Sequence, residues 1–319
     1  GGWSATRLSM IWAVTSYFNP CKYRRRLANY RVFRRQLQSP LVTVELSFDG
    51  QFQLQSGDAD VLVDINGRDV MWQKERLLNV ALGHLPAECD MVAWIDCDIV
   101  FSNSEWPTAA RDALDRHAVV QLFDTIEYVA QNDEDDPEES VESVCKALAS
   151  GRVSPEVAGA QDIRLFRVRT GGAWAARREL MHRHGLYDAC ILGSGDRAFL
   201  GALLGSFPAV IRYILMNGPR AEHYLRWAEP LHDAVRGHVG FCPGTVRHLW
   251  HGDRANRRYQ GRHVDFARYD FDPGVDIAID NGGWRWNSDK PEMHQFVRDY
   301  FSARMEDGSE GSPGGGHAP

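Results

Sequence analysis

The stretch Asp90-Met91-Val92-Ala93-Trp94-Ile95-Asp96-Cys97-Asp98-Ile99-Val100-Phe101 constrains this chain more than any other. Met91 to Ile95 and Ile99 to Phe101 form a nearly unbroken apolar run, the pattern of a strand covered on both faces in a largely parallel sheet. Two carboxylates interrupt it. If the chain stays extended, Asp96 and Asp98 project to one side. Neighbouring negative charges at the end of a buried strand repel each other and resist desolvation unless a positive partner sits with them. A divalent cation carrying a diphosphate would be such a partner. The alternative is a strand that ends at Ile95 and leaves both aspartates in a wet loop. Asp-x-Asp is too short to decide between the two, so its surroundings must.

Those surroundings alternate strand and helix. Met10 to Tyr17 reads as a strand broken by Asn19-Pro20, and Tyr23 to Leu37 as a helix carrying Arg24, Arg25, Arg26, Arg31, Arg34 and Arg35. Strands Leu41 to Phe48 and Val61 to Ile65 follow, then a helix from Val70 to Leu82 that Pro86 closes off. This alternation implies a doubly wound α/β sheet, whose ligands collect beyond the carboxyl ends of the strands, where Asp96 and Asp98 sit. Further on, a helix is expected over Trp106 to Arg116 and a strand over Ala118 to Phe123. The acidic run 131–143 reads as a loop entering a helix at Glu138, and Gly171-Gly172 as the opening of a helix from Ala173 to His184. Gly193-Ser194-Gly195-Asp196 leads into an apolar helix, Ala198 to Leu204, and the Gly/Ser/Pro-rich end from Glu306 reads as disordered.

With 319 residues, 44% of them hydrophobic and 25% charged, the composition is that of a soluble globular protein with ample material for a core. No apolar run approaches the roughly 18 residues of a membrane span. The six cysteines stand singly with no Cys-x-x-Cys pair, which favours reduced, buried thiols in a cytoplasmic protein over zinc or disulfides. A net charge of −7 weighs against a dedicated nucleic-acid binder, although the basic stretch 254–268 leaves room for a local groove.

Two further clusters carry chemistry. In His248-Leu249-Trp250-His251 a helical turn would bring both imidazoles to one face. With an aspartate they make an oxygen and nitrogen site suited to Mn²⁺, Fe²⁺ or Zn²⁺ rather than Ca²⁺. Ordinary packing beside a tryptophan would also explain the pair. His251-Gly252-Asp253 spells His-x-Asp, the start of a non-haem iron facial triad with His263 or His294 as third ligand, a reading that leaves Asp96 and Asp98 without a role. Asp196, behind Gly193 and Gly195, is placed either to act as general base towards a hydroxyl or to cap the helix that follows.

Trp72-Gln73-Lys74-Glu75-Arg76-Leu77-Leu78-Asn79-Val80 followed by Trp94-Ile95-Asp96-Cys97-Asp98 resembles the β-1,4-galactosyltransferase family of metal-dependent GT-A glycosyltransferases, in which a basic helix ending Leu-Leu-Asn-Val-Gly precedes an Asp-Val-Asp strand. Gly193 to Asp196 is similar to that family's acceptor loop ending in Glu-Asp, and His248 to His251 with Asn256 to its metal-binding Met-x-x-His. Phe18-Asn19-Pro20 and the arginines behind it resemble its nucleotide loop.

The resemblance implies an α/β, GT-A-like fold: a doubly wound, mostly parallel central sheet with flanking helices and a C-terminal acceptor-side region. It implies an inverting transferase that moves a sugar from a UDP-sugar to a carbohydrate or other hydroxyl acceptor with Mn²⁺ or Mg²⁺. Asp98, His251 and, in the methionine's place, His248 become the metal ligands, and Asp196 the base. Phe18, Asn19, Arg24, Arg26 and Lys74 become donor contacts, and Asp96 orients the ribose or the metal's water shell. Residues 8–103 would form the nucleotide-sugar half, 104–302 the acceptor and metal half, and 303–319 a disordered tail. Trp174, Trp250 and Trp284 are candidates to stack on sugar or base. The family's Trp-Gly-Gly-Glu-Asp is reduced here to Leu-Gly-Ser-Gly-Asp, so its acceptor does not carry over.

Two rivals stand beside this reading. A sugar-phosphate nucleotidyltransferase shares the α/β half and paired carboxylates, but Asn19-Pro20-Cys21-Lys22 is a poor version of its phosphate loop. A nucleic-acid or carbohydrate binding module would use the arginine helix and the 254–268 stretch. A transferase acting on a hydroxymethylated DNA base joins the two ideas.

Overall fold

The strand Cys89–Ile95 turns Val92 and Trp94 towards one apolar cluster and Met91, Ala93 and Ile95 towards another, so the sheet it belongs to is covered on both faces. That sheet is the centre of the protein. A computed structural model describes residues 10–131, 137–158 and 167–308. The first part of the chain runs β1 (Met10–Phe18), α1 (Arg24–Gln36), β2 (Leu41–Ser47), β3 (Val61–Asn66), α2 (Lys74–Leu82), β4 (Cys89–Ile95), β5 (Ile99–Phe101) and α3 (Trp106–Leu114). It continues with β6 (Val119–Gln121), β7 (Thr125–Val129), β8 (Pro137–Ser143), α4 (Val144–Ala149), α5 (Pro155–Ala158), β9 (Val168–Arg169), β10 (Ala173–Arg177), α6 (Arg178–His184) and α7 (Gly195–Leu204). The last part comprises α8 (Phe207–Ile214), α9 (Gly218–Val235), β11 (Val239–Phe241), β12 (Thr245–His248), α10 (Gly261–Phe266), α11 (Pro273–Asp276), β13 (Ile277–Asp280), β14 (Gly283–Trp286) and α12 (Pro291–Ser302).

The protein is mixed α/β with a mostly parallel central sheet, as expected. Its order is β11-β6-β10-β4-β1-β2-β3. β1 pairs in parallel with both β2 and β4, and β2 with β3, while β10 runs antiparallel between β4 and β6. The chain moves outward from β1 to β3 and then returns to the other side of β1, which makes the gap between β1 and β4 the switch point where an open α/β sheet leaves a crevice. A second sheet, β5-β12-β7-β8-β9, stands beyond that crevice, with β12 antiparallel to β5 and parallel to β7.

Several local expectations are corrected. Ala173 to Arg177 is a strand, and helix begins only at Arg178. These residues are mostly small and apolar, and a gap in the sheet between β4 and β6 gives them ladder partners on both sides. The acidic run does not enter a helix at Glu138. Residues 137–143 pair with β7, and the helix waits until Val144, where the Ser143 hydroxyl accepts from the Lys146 amide as N-cap; residues 132–136 lie outside the described part. Helix α2 starts at Lys74 rather than Val70, because the Trp72 amide is spent on the Ile191 carbonyl and the Gln73 side chain on the backbone of Trp284. Near the C-terminus, Arg304 and Glu306 are buried rather than disordered; 309–319 lie outside the described residues. Trp174, proposed for stacking, is a core side chain 1% exposed, its indole N–H bonded to the Thr170 carbonyl.

All six cysteines are unpaired, and among the described residues no helix is long and apolar enough to cross a membrane. Replacing the buried Trp174 by Ala should cost about 3–5 kcal/mol of stability in chemical denaturation, the range for emptying a large aromatic site in a packed core.

Candidate functional site

Strand β4 ends at Ile95, and residues 96–98 turn before β5 departs into the second sheet. Asp96 and Asp98 therefore do not share a face of one strand, yet neither lies in a wet loop: both line a single cavity at the crevice between β1 and β4. The Asp96 amide bonds to the Gly172 carbonyl, which fixes the turn against the start of β10.

His248 arrives by strand register and His251 in the loop beyond it, not together on a helical turn. His248 ends β12 opposite Ile99, and the Leu249 amide donates to the Asp98 carbonyl at 2.9 Å. His251 lies in the loop beyond, which Asn29 of α1 anchors by bonding the Trp250 carbonyl. The two rings lie nearly parallel with centroids 5.1 Å apart. His251 Nε2 is 2.9 Å from Asp98 Oδ2, and His248 Nε2 is 3.9 Å from Asp98 Oδ1. One ligand atom from each of Asp98, His248 and His251 falls within 4.8 Å of the others, a spread that a first-row divalent ion with bonds of about 2.0–2.2 Å can bridge.

The donor chemistry fits such an ion. Burial keeps the His248 imidazole well below its usual range, hence neutral, the form that ligates. Burial by itself would raise Asp98, but the neighbouring His248, His251 and Arg257 hold it well below the usual carboxylate range. Asp98 Oδ1 is buried and has no hydrogen-bond partner among the described residues, an orphan that a cation would satisfy. Around His251, Arg257 Nη2 approaches Nε2 at 3.0 Å and Glu306 Oε1 lies 3.8 Å from Nδ1.

On the other side of the cavity Lys74, the first residue of α2, reaches Asp96 Oδ1 at 2.7 Å and both oxygens of Asp196 at 3.1 Å. One ammonium thus links the turn after β4 to the first turn of α7. Asp196 sits in the first turn of α7 and makes no cap; the N-cap position belongs to Ser194, held at φ +78 and bonded through Oγ to His263 Nε2. Two glycines make the approach possible. A Cβ on Gly171 would come within 2.2 Å of Asp196 Oδ2, and one on Gly195 within 2.1 Å of Glu75 Oε1.

Of the residues expected to contact a donor, Phe18, Arg26, Lys74, Asp96 and Asp98 line this cavity, and Asn19 and Arg24 do not. Asn19 is buried and spends its amide on the turn into α1, accepting from the Tyr23 amide and donating to the Tyr23 carbonyl and Gln53. Arg24 is exposed. The oxygenase triad does not assemble. Asp253 is exposed, His263 is engaged with Ser194, and His294 stacks on Trp286 with centroids 4.1 Å apart. Trp284 donates its indole N–H to the Asp188 carbonyl, and Trp250 lies under Arg25; neither lines the cavity.

Sequence reading missed Trp72, Arg169, Arg197, Tyr259 and Arg304 as lining residues. Tyr259, Arg257 and Arg262 lie in the polar, basic stretch already noticed, whereas Arg304 sat in the supposed tail and Arg169 had no signal. Together they make the cavity strongly basic. Burial would raise the Tyr259 phenol, but the guanidiniums of Arg257 and Arg169, the former donating to its oxygen at 3.1 Å, bring it down to about 7.

No protein-family model and no curated protein matches this sequence. Solved structures similar to the chain include glucosyl-3-phosphoglycerate synthase from Mycobacterium tuberculosis in complex with Mn²⁺, UDP and glucosyl-3-phosphoglycerate, at 12% identity over 87% of each chain with a TM-score of 0.44. Another is a mannosyltransferase from Pyrobaculum calidifontis in complex with GDP-Man and Mn²⁺, at 14% identity over 82% of this chain and 65% of that one, TM-score 0.41. A third is S. aureus TarS 1-349, at 15% identity and TM-score 0.36, of which this chain spans 55%. Overlap this loose carries no argument about chemistry.

Glu75 offers a test of the site's electrostatics. Burial, opposed by Lys74 and reinforced by Asp196, pushes its carboxyl up to about 8. Between an unfolded value of about 4.5 and that folded value the native chain holds a proton that the unfolded chain has lost. The resulting stabilisation is complete below the lower value and is lost as pH rises through about 8. Glu75→Gln should therefore flatten the decline in Tm from mildly acidic to mildly basic pH; a decline as steep as the wild type's would assign it to other groups.

Proposed function

We propose that this protein is a divalent-metal-dependent glycosyltransferase that takes its sugar from a nucleoside diphosphate donor, UDP-sugars first, and inverts the anomeric centre. The observation that carries the reading is the convergence of Asp98, His248 and His251 on one point of a cavity that also holds Lys74 and Asp196. Nitrogen and oxygen donors of this kind suit Mn²⁺, with Mg²⁺ as the alternative. A cation held there would supply the charge that lets a nucleoside diphosphate leave.

The chain's own residues do the rest. Lys74 and Arg26 line the cavity where diphosphate oxygens would lie, and donors fixed in place before reaction stabilise the charge that develops on the leaving group. Trp72 and Phe18, with ring centroids 5.5 Å apart at the carboxyl end of β1, give a base or ribose an apolar wall. Asp196 accepts the proton of the acceptor hydroxyl as its oxygen attacks the anomeric carbon from the face opposite the diphosphate. Lys74 pairs with Asp196 and Asp96 together. Donor phosphate that drew the ammonium away from Asp196 would leave that carboxylate a better base, so proton abstraction would follow donor binding. An enzyme of the β-1,4-galactosyltransferase kind is the narrower version of this reading. The loss of that family's acceptor tryptophan and glutamate separates its acceptor from this one.

Two measurements test it. Mn²⁺ should bind the wild type and raise its Tm when UDP is added, because a ligand selective for the folded state stabilises it. Asp98→Asn and His248→Ala should each weaken Mn²⁺ binding at least tenfold by calorimetry; unaltered Mn²⁺ affinity in both would end the metal assignment. In metal-dependent turnover of a panel of nucleotide sugars, Asp196→Asn should lower transfer by about 10²–10⁴ and leave UDP affinity within a few-fold. A variant with full activity would remove Asp196 from the mechanism.

A further inference from the structure

The cavity holds more positive charge than a metal-bound donor balances. Arg26 and Arg304 share Glu306, and Lys74 lies on Asp96 and Asp196. Arg257 and Arg262, 6% and 5% exposed, and the half-buried Arg169 make no ion pair with a carboxylate among the described residues. Buried guanidiniums without a counter-charge are costly, and an anionic ligand offsets that cost. The charges of a divalent cation and a donor diphosphate cancel each other; Arg257 acts on Asp98 and, with Arg169, on the Tyr259 phenol, so a donor complex leaves Arg262 the one of the three with no counter-charge among the described residues.

Position separates one of them from the metal. Arg262 belongs to α10 and donates from Nη2 to Ser194 Oγ at 3.1 Å, from Nη1 to Tyr300 Oη at 2.6 Å and to the Arg257 carbonyl at 3.1 Å. It is therefore braced against the loop that carries Asp196. Gly193 makes the room: at φ +82 it lies close enough that a Cβ would come 3.1 Å from Arg262 Nη2 and 3.8 Å from the Trp72 ring. Arg197, next in sequence to Asp196, lies over the Tyr213 ring at 3.8 Å and lines the same cavity. The Nε–H of Arg262 and the indole N–H of Trp72, both buried, have no acceptor among the described residues. These donors line the cavity on the side of the Gly193-Ser194 segment that leads into Asp196, whereas Arg257 lies at His251.

We propose that Arg262, with Ser194 and Arg197, forms an oxyanion subsite for the acceptor, and that the acceptor is a small molecule carrying a phosphate or carboxylate group close to its reacting hydroxyl. This rests on the glycosyl-transfer reading and goes past it, because a neutral sugar acceptor would leave Arg262 unmatched. The oxyanion, seated on Arg262 and Ser194, points the neighbouring hydroxyl at Asp196, and Arg197 adds its positive charge to the same cavity wall.

Calorimetry with inorganic phosphate on the full chain tests this. Wild-type protein saturated with Mn²⁺ and UDP should still bind phosphate, and Arg262→Met should weaken phosphate at least tenfold more than it weakens UDP, whose binding also reports that the variant is folded. Arg262→Lys, which keeps the charge, should recover most of the phosphate affinity. Phosphate that binds only when UDP is absent, that fails to bind at all, or that is lost in parallel with UDP would overturn the subsite and hand Arg262 to the donor, with the transfer reading intact. A short single-stranded oligonucleotide that binds the UDP complex where phosphate does not would overturn it in favour of a polymeric acceptor. No UDP binding with any divalent metal would overturn the transfer reading itself and the acceptor assignment with it.

Discussion

A carboxylate at the mouth of a buried sheet has to find its partners outside its own strand, and in this protein the meeting of Asp98 with His248 and His251 ties the two sheets together. β4 delivers Asp98 to the edge of the central sheet, and β12 of the second sheet delivers His248 opposite Ile99. The Leu249 amide on the Asp98 carbonyl locks that meeting in the backbone, so ladder register places His248, while Asp98 lies in the turn after β4 and His251 in a loop that Asn29 anchors. Register of this kind is strongly specified, since a one-residue slip would turn His248 away and Leu249 inward.

An acidic chain with a basic cavity follows from where the charges are held. Net charge is −7, yet each carboxylate of the site has a polar partner, Asp96 and Asp196 sharing Lys74, Asp98 two imidazoles, and Glu306 Arg26 and Arg304. What remains at the cavity wall is guanidinium. Its field is visible on Tyr259, whose phenol is brought down to about 7 in spite of burial. A cavity of this sign, on a protein of the other, concentrates anions locally without making the whole surface sticky for polyanions.

The C-terminal segment completes the site. Arg304 and Glu306 fold back onto α1, where Glu306 pairs with Arg26 and approaches His251, and Asp307 accepts from the Arg24 and Arg25 amides at the start of that helix. Arg24 thus contributes a backbone group to an anchored tail, while its side chain faces solvent. A carboxylate at a helix N-terminus complements the unpaired amides and the dipole there, which explains why Arg304 to Asp307 pack against α1 although the tail was expected to be disordered.

The periodicity of the chain itself determined the front of the molecule. The apolar runs at 10–18, 41–47 and 91–95 could only be strands of a covered sheet, and the Asp-x-Asp after the last of them had to lie at its carboxyl edge. An aspartate with His248 and His251 was legible as a metal-ligand set from residue type, and the family resemblance singled out Asp98 as that aspartate. Only tertiary structure decided how they meet. Ala173 to Arg177 became a strand because two neighbours offered it a ladder, and Asn19 became a turn residue because the Tyr23 backbone lay within its reach. The arginines of the cavity wall come from five separate parts of the chain, and for Arg169, Arg197 and Arg304 no local pattern announces them. Burial, register and counter-charge are set by distant neighbours, and one segment read alone carries no information about who those neighbours will be.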